Sequence, residues 1–218
     1  MSHTETPHFP SPTRFHIDIE TLSIEPDAAI ISIGAVLFVP GCGSPSEQFH
    51  CNIDFADALR YGRADGNTIA WWFKQTETAR MATLDNPVPL GTALIQLSDW
   101  IETATAALPA SWRHCEFMAN GPAFDFVALR NAYQRALGKP TPWKYWAERD
   151  YRTERDQLKR TLAHLGLDTS EPTRIDAHNA LSDAMHQGTV IATLENRLFA
   201  GLDKVLSTAH VDTPTTSN

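Results

Sequence analysis

Eight of the ten residues in Ile30–Val39 are apolar, and this run restricts the possible folds more than any other part of the chain. It is far shorter than the roughly 18 apolar residues that a membrane-spanning helix needs. A strand that is apolar almost without interruption is typical of a sheet covered on both faces. The protein is therefore expected to place helices on both sides of a sheet.

The remaining elements follow from periodicity and turn signals. Arg14–Glu20 alternates in a period of two, which is typical of a strand, and Asn179 is a favourable helix cap. The other predicted strands are Ile30–Val39, Gln48–Ile53 and His114–Ala119, and the predicted helices are Asn67–Gln75, Leu90–Thr103, Ala123–Leu137 and Asn179–Leu198. Strands first, then helices interleaved with further strands, predict an α/β fold in which helices flank the sheet.

The chain length of 218 residues, without an internal repeat or a linker-like stretch, favours a single domain. We expect this domain at residues 14–202, between polar and flexible tails at residues 1–13 and 203–218. Neither a signal-peptide core nor a membrane span is found, so we expect a cytoplasmic protein without membrane contact. The formal net charge of −8 argues against tight, passive binding to a phosphate backbone, but it is compatible with a metal enzyme.

Two carboxylates share one face of the first strand. Asp18 and Glu20 are two residues apart, so both side chains point away from the face that Ile17 and Ile19 occupy. On a central strand this pair costs stability unless a cation compensates it, and a metal ion is the simplest compensation. The alternative explanation of the carboxylate pair is an edge strand with one solvent-exposed face.

Further acidic residues lie at the starts of two predicted helices. Asp125 falls in the first turn of the helix after the fourth strand, where it has the alternative role of a favourable charge at a helix N-terminus. His178 and Asp183 are five residues apart, so they face one site only if His178 lies in the loop before the last helix. A surface histidine beside a helix is the alternative. Each motif is weak alone, and their order along the chain makes them informative together.

The chain resembles the DEDD superfamily of 3′-5′ exonucleases, in the subclass with a histidine, known as DEDDh. The matching segments are His16–Leu22 (HIDIETL), Asn120–Asp125 (NGPAFD) and His178–Asp183 (HNALSD). A closer similarity to phage- and prophage-type exonucleases and bacterial exoribonucleases is carried by Thr68–Gln75 and Pro142–Thr153. The resemblance implies a ribonuclease H-like mixed sheet and hydrolysis of phosphodiester bonds at the 3′ end of single-stranded RNA or DNA, releasing nucleoside 5′-monophosphates.

The resemblance also implies a two-metal mechanism with Mg²⁺ or Mn²⁺, which suit oxygen ligands. Asp18, Glu20 and Asp183 would hold the metal next to the attacking water. Asp18 would also bridge to the second metal, on which Asp125 would act largely through water. His178 would be the general base, since an imidazole accepts a proton at neutral pH.

Substrate contacts follow less directly from the motifs. In the family the residues after the first two carboxylates, here Thr21 and Leu22, grip the terminal nucleotide. The remaining candidates for substrate binding are Trp71, Trp72, Asn120 and Arg152. Either tryptophan has core packing as its alternative. The segment from Lys139 to Arg160 contains seven basic residues, which predict a surface that binds the phosphate backbone of the substrate. The alternative is a solvated helix whose charges form salt bridges.

Two other functions stay open at this point. One is a module of the same fold that binds nucleic acid without catalysis. The other is a glycerolipid acyltransferase, in which the histidine of an H-x4-D motif serves as a base. This function would leave Asp18, Glu20 and Asp125 unused and would require membrane affinity. The resemblance is also compatible with a homodimer.

Overall fold

β1 (Thr13–Thr21) lies at the centre of a five-stranded sheet in the computed structural model, which describes residues 12–110, 113–174 and 178–209. The sheet order is β3-β2-β1-β4-β5. β1 pairs antiparallel with β2, β2 antiparallel with β3, β1 parallel with β4, and β4 parallel with β5. The other strands are β2 (Ile30–Phe38), β3 (Glu47–Asn52), β4 (Cys115–Ala119) and β5 (Glu148–Asp150). The predicted α/β fold with a mixed sheet is confirmed.

The helices of the described residues include all four that the sequence predicts, together with three that it does not. They are α1 (Phe55–Tyr61), α2 (Gly66–Phe73), α3 (Glu77–Ala82), α4 (Leu90–Ala107), α5 (Asp125–Leu137), α6 (Tyr151–His164) and α7 (Ala180–Ala209). α5 begins two residues after the predicted start at Ala123. A turn between Gly121 and Phe124 precedes it, with the Phe124 N–H donating to the Gly121 carbonyl over 2.8 Å.

The two faces of β1 carry different side chains, as its alternation predicts. Phe15, Ile17 and Ile19 belong to the main core, where they lie with buried residues of α4 and α5. On the other face of the sheet, Val36 and Phe38 of β2 pack with residues of α7. Asp18 and Glu20 therefore point toward the side of the sheet that α7 covers.

Gly34 controls how closely α7 approaches the sheet. It lies opposite Asp18 in the register of β1 and β2. A Cβ atom at this position would lie 2.1 Å from the carbonyl carbon of Ala180 and 2.1 Å from the backbone nitrogen of Leu181. Only glycine allows the first turn of α7 to rest on the strand beside Asp18.

The structure differs from the predicted tails in two places. Thr13 is already part of β1, and α7 continues to Ala209, so the first seven residues of the predicted C-terminal tail 203–218 are helical. The rest of the predicted N-terminal tail falls almost entirely outside the described residues, and the limits of the domain at 14–202 stay a prediction. Among the described residues, no helix combines the length and apolar character needed to cross a bilayer.

Candidate active site

Three carboxylates converge between β1 and α7. Asp18 and Glu20 come from β1 and Asp183 from the first turn of α7, and one oxygen atom of each lies within 4.8 Å of the others. Asp125, at the start of α5, is the fourth member of the group, because it is buried and its charge acts on both Asp18 and Glu20. The structure thus brings together all four acidic residues that the sequence predicts.

Burial and mutual repulsion make the ionised form of these groups unfavourable. Burial, followed by the charges of Asp125, Glu20 and Asp183, raises the pKa of Asp18 well above its ordinary value. Burial and the charge of Asp183 raise the pKa of Glu20 to about 8. Burial raises the pKa of Asp125 to about 7, although its backbone hydrogen bonds and Arg152 act in the opposite direction. The group therefore concentrates negative charge that a cation would relieve.

The donor set fits a hard divalent cation. All the converging ligand atoms are carboxylate oxygens, which Mg²⁺ and Mn²⁺ prefer, whereas zinc is bound more often by sulfur or imidazole nitrogen. The repulsion among the carboxylates supports the same conclusion, because a bound cation would favour their ionised forms.

Arg174 supplies positive charge to the group, and the sequence analysis missed it. Its Nε donates to Oδ1 of Asp183 over 2.9 Å, and its Nη2 lies 2.6 Å from the same oxygen. Its charge also lowers the pKa of Glu20, against the stronger effect of burial. Arg174 lies in the loop before α7, where no periodicity or motif marks it.

His178 lies in the turn before α7. This is the position that the sequence analysis requires if His178 and Asp183 are to face the same site. Asn179 caps the helix, since its Oδ1 accepts from the backbone N–H of Ser182 over 3.0 Å. His178 has a φ of 66°, in the left-handed region, and its backbone N–H donates to Oδ2 of Asp183 over 3.1 Å. Its ring packs edge-on against Trp71, with 4.7 Å between the ring centroids. The turn and Trp71 together fix the position of the imidazole.

Gln187 is a second residue that the sequence analysis missed. It is buried one turn after Asp183 on α7, and its Nε2 donates to Oδ1 of Asp18 over 2.9 Å. The spacing of four residues from Asp183 puts both side chains on one face of the helix, and this signal could have identified it. Gln187 therefore orients Asp18 from the helix that carries Asp183.

Three of the predicted substrate-binding residues are buried beside the carboxylates. Trp72 is only 8% exposed, and its Nε1 donates to the Thr21 carbonyl over 2.8 Å. It packs in the core and holds the end of β1, so only the small part of it that lines the cavity beside Leu22 is left for contact with a base. Thr21 is buried, with its hydroxyl bonded to the Ser23 carbonyl, and Leu22 lines an apolar cavity of about 350 Å³ next to Trp72.

The other three predicted residues lie at the rim of the site. Trp71 is 39% exposed, and Asn120 is exposed directly after β4. Arg152 lies close to Gly121, where a Cβ atom would be 2.9 Å from a guanidinium nitrogen, and its charge acts on Asp125. These positions are compatible with substrate contact, and the contacts themselves stay predictions.

The predicted basic surface between Lys139 and Arg160 is interrupted by ion pairs. Arg155 pairs with Asp156 over 2.8 Å, and Lys159 pairs with Glu171 over 2.5 Å. For α6 the structure therefore supports the alternative of a solvated, salt-bridged helix.

Comparison with known proteins gives a consistent family and fold. The model of the 3′-5′ exoribonuclease Rv2179c-like domain family matches residues 13–194. A comparison with curated protein sequences finds no match.

Several solved structures share the fold. Exonuclease I of Methylocaldum szegediense has a TM-score of 0.60 and 13% identity, with 90% of this chain and 43% of that chain covered. Exonuclease I of E. coli in complex with a dT13 oligonucleotide has a TM-score of 0.53 and 14% identity, with 90% and 44% covered. Pop2p of S. pombe, in an Mg²⁺- and Mn²⁺-bound form, has a TM-score of 0.53 and 14% identity, with 86% and 84% covered. The chain thus spans less than half the length of the exonuclease I structures.

Proposed function

The chain belongs to the 3′-5′ exoribonuclease Rv2179c-like domain family, and we propose that it hydrolyses single-stranded nucleic acid from the 3′ end, using divalent metal ions. The family match confirms the exonuclease family expected from the motifs. The histidine subclass, the closeness to phage-type enzymes and the homodimer stay predictions.

The observation that carries the proposal is the convergence of Asp18, Glu20 and Asp183, with ligand oxygens within 4.8 Å of one another. Asp125 extends this group from the side of α5, and its charge acts on Asp18. We propose that the four carboxylates hold two Mg²⁺ or Mn²⁺ ions. The structure of Pop2p, which has the same fold, contains both of these metals.

When bound, two divalent ions supply Lewis acidity for in-line attack on a phosphodiester and for the developing charge on the leaving 3′ oxygen. Asp18 and Glu20 bind from the rigid central strand, so their positions are fixed before substrate arrives. Asp183 is held by the N–H of His178, and Asp18 by the amide of Gln187. These contacts keep the ligands in place without help from substrate.

The proposed role of His178 is to accept the proton from the attacking water. An imidazole can do this at neutral pH. Trp71 and the left-handed turn hold the ring at the mouth of α7. Because its backbone N–H binds Asp183, any movement of the turn would displace the proposed base and a proposed metal ligand together.

The proposed substrate is the 3′ end of a single strand. Thr21 and Leu22 follow the paired carboxylates directly, and the cavity beside Leu22 offers an apolar wall for a terminal base. A similar fold has been solved in a complex with single-stranded DNA, and another belongs to an exonuclease that recognises the 3′ end of a histone mRNA stem-loop, so proteins of this fold act on both kinds of strand. The family description favours RNA.

The direction of cleavage tests the proposal. We expect a 5′-labelled oligonucleotide to give a ladder that shortens one nucleotide at a time, and a 3′-labelled one to release labelled mononucleotide first. A 3′-terminal phosphate should slow the reaction. Internal cuts, or release of the 5′ nucleotide first, would overturn the assignment.

The same experiment separates the two alternatives. A binding module would hold the oligonucleotide without shortening it. The acyltransferase alternative gives Asp18, Glu20 and Asp125 no role, whereas the structure gathers them around Asp183.

A further inference from the structure

We propose that a second surface, at the outer edge of the sheet, binds the 5′-ward part of the single strand whose 3′ end lies at the carboxylates. This edge surface consists of Arg113, Lys144, Tyr145, Trp146 and Arg149. The inference rests on the proposed function and adds to it a site for the distal part of the substrate.

The edge surface surrounds a cavity of about 530 Å³. The cavity is lined by Thr13 and Cys115, the first residues of the parallel strands β1 and β4, and by Trp146 and Arg149 from the chain around β5. Asp18 lies five residues further along β1, and Asp125 follows the opposite end of β4. The cavity therefore lies at the other end of the strands from the carboxylates and is separate from them.

Two aromatic rings of the edge surface are left in solvent. Tyr145 is 75% exposed and Trp146 is 64% exposed, with their ring centroids 5.2 Å apart. The preceding Trp143 is 5% exposed and stacks on Phe117 at 4.9 Å, so it anchors this segment in the core. An anchored segment that presents two neighbouring rings outward has the form of a stacking platform for unpaired bases.

The cavity lining is positively charged on a strongly acidic protein. The lining contains three basic residues, Arg113, Lys144 and Arg149, and one carboxylate, that of Glu116. Glu116 is already neutralised by Arg14 at 3.0 Å and by Arg149 at 2.8 Å. No carboxylate among the described residues pairs with Arg113 or Lys144. The permanent charges of the lining sum to +2, whereas the formal net charge of the chain is −8.

The chain through β5 connects the edge surface with the proposed active site. β5 is one of the two edge strands, and the segment that contains it leads from Trp146 to Arg152, whose charge acts on Asp125. Trp146 and Arg152 are six positions apart in the sequence, which corresponds to about 15–20 Å along the edge for a strand with its flanking turns. A stacked strand that advances about 3.4 Å per nucleotide covers this distance with about four to six nucleotides.

The charge of the edge surface favours single-stranded nucleic acid over a second copy of the chain as its binding partner. Single-stranded nucleic acid brings phosphates to the cations and bases to the two rings, so it matches both features of the surface. A second copy of the chain would bring the same local positive charge to a symmetric contact. We therefore commit to single-stranded nucleic acid and treat the second copy as an outcome of the test.

The test measures how binding depends on oligonucleotide length. Labelled single strands of 4 and 15 nucleotides are titrated by fluorescence anisotropy against the Asp18→Asn protein with Mg²⁺, so that the measurement does not require turnover. Adding Trp146→Ala should weaken binding of the 15-mer about tenfold, equivalent to about 1.4 kcal/mol, and leave the 4-mer unchanged. Trp146→Phe should restore most of the affinity, and Phe199→Ala, an exposed aromatic of α7, is the matched control.

A Lys144→Ala variant tests the charge. It should reduce the salt dependence of 15-mer binding by about one ion, because one phosphate contact is lost. No weakening of the 15-mer by Trp146→Ala, or equal weakening at both lengths, would overturn the inference. Conversion of a dimer into a monomer by Trp146→Ala in sedimentation would overturn it in favour of an interface between copies. Failure of the wild-type protein to shorten any oligonucleotide would reject the proposed function alone, since the binding measurement is independent of cleavage.

Discussion

Replacing Glu20 by glutamine should stabilise the metal-free protein at alkaline pH, although it removes a proposed metal ligand. Burial and the neighbouring Asp183 raise the pKa of Glu20 to about 8 from an ordinary value of 4.5. A carboxyl group whose pKa is raised by folding contributes its full stability below pH 4.5, and this contribution is lost as the pH rises through about 8. Glutamine keeps the shape of the side chain without the charge.

The size of the effect follows from the shift. At pH 8 the full pKa shift lowers the free energy of unfolding of the wild type by at most about 4 kcal/mol, and at pH 5 by about 1 kcal/mol. Glutamine would remove this loss. The carboxylates share their repulsion, so we expect about half of the upper limit, roughly 2 kcal/mol, at pH 8. For a chain of this size that is an increase in Tm of about 4–8 °C.

Thermal unfolding in EDTA at pH 5 and pH 8 measures this effect directly. Glu20→Gln should raise Tm at pH 8 much more than at pH 5, and Mn²⁺ should stabilise the variant less than the wild type. Glu102→Gln, at an exposed position on α4, is the matched control and should change little. A Glu20→Gln protein that is no more stable at pH 8, or that gains equally at both values, would refute the electrostatic argument.

Three further substitutions separate the roles within the site. Asp18→Asn should lose nearly all turnover while its far-UV circular dichroism stays that of the wild type; normal turnover would remove Asp18 from the site. His178→Ala should slow turnover about 10²–10⁴-fold, the usual contribution of a general base, with Mn²⁺ affinity unchanged in calorimetry; a marked loss of affinity would contradict a role in proton transfer alone. Arg174→Ala should tighten Mn²⁺ binding several-fold, because its guanidinium competes for Asp183, and unchanged or weaker binding would show that this ion pair does not oppose the metal.

Local patterns predicted the elements that contribute most to the core. The alternation in β1 and the apolar run of β2 reflect burial, so period and composition were sufficient. The helices α1 and α3 were missed because each has a single buried residue, Ala58 and Ala79 respectively, which gives no period to detect. β5 has only three residues, all partly buried, and it pairs only because β4 lies beside it.

The sequence predicted those residues of the candidate site that belong to recognisable motifs. The four carboxylates and His178 belong to motifs with fixed spacing, whereas Arg174 reaches Asp183 from an irregular loop that has no spacing rule. Gly34 carried a usable signal, since a glycine inside an apolar strand indicates the close approach of another backbone. Gln187 could be identified by its spacing of four residues from Asp183, but its partner Asp18 lies 169 positions away, so the contact itself follows only from the packing of α7 on the sheet.

The most direct test of the central claim follows 5′-labelled single-stranded RNA and DNA of matched sequence with Mg²⁺, with Mn²⁺ and with EDTA. Wild-type protein is compared with Asp18→Asn and with the Glu102→Gln control. We predict stepwise shortening from the 3′ end that requires metal, is absent in Asp18→Asn and is unchanged in Glu102→Gln, and the faster of the two strands identifies the preferred sugar. Shortening that persists in EDTA or in Asp18→Asn, or no shortening of either strand with either metal, would contradict a metal-dependent exonuclease built on these carboxylates.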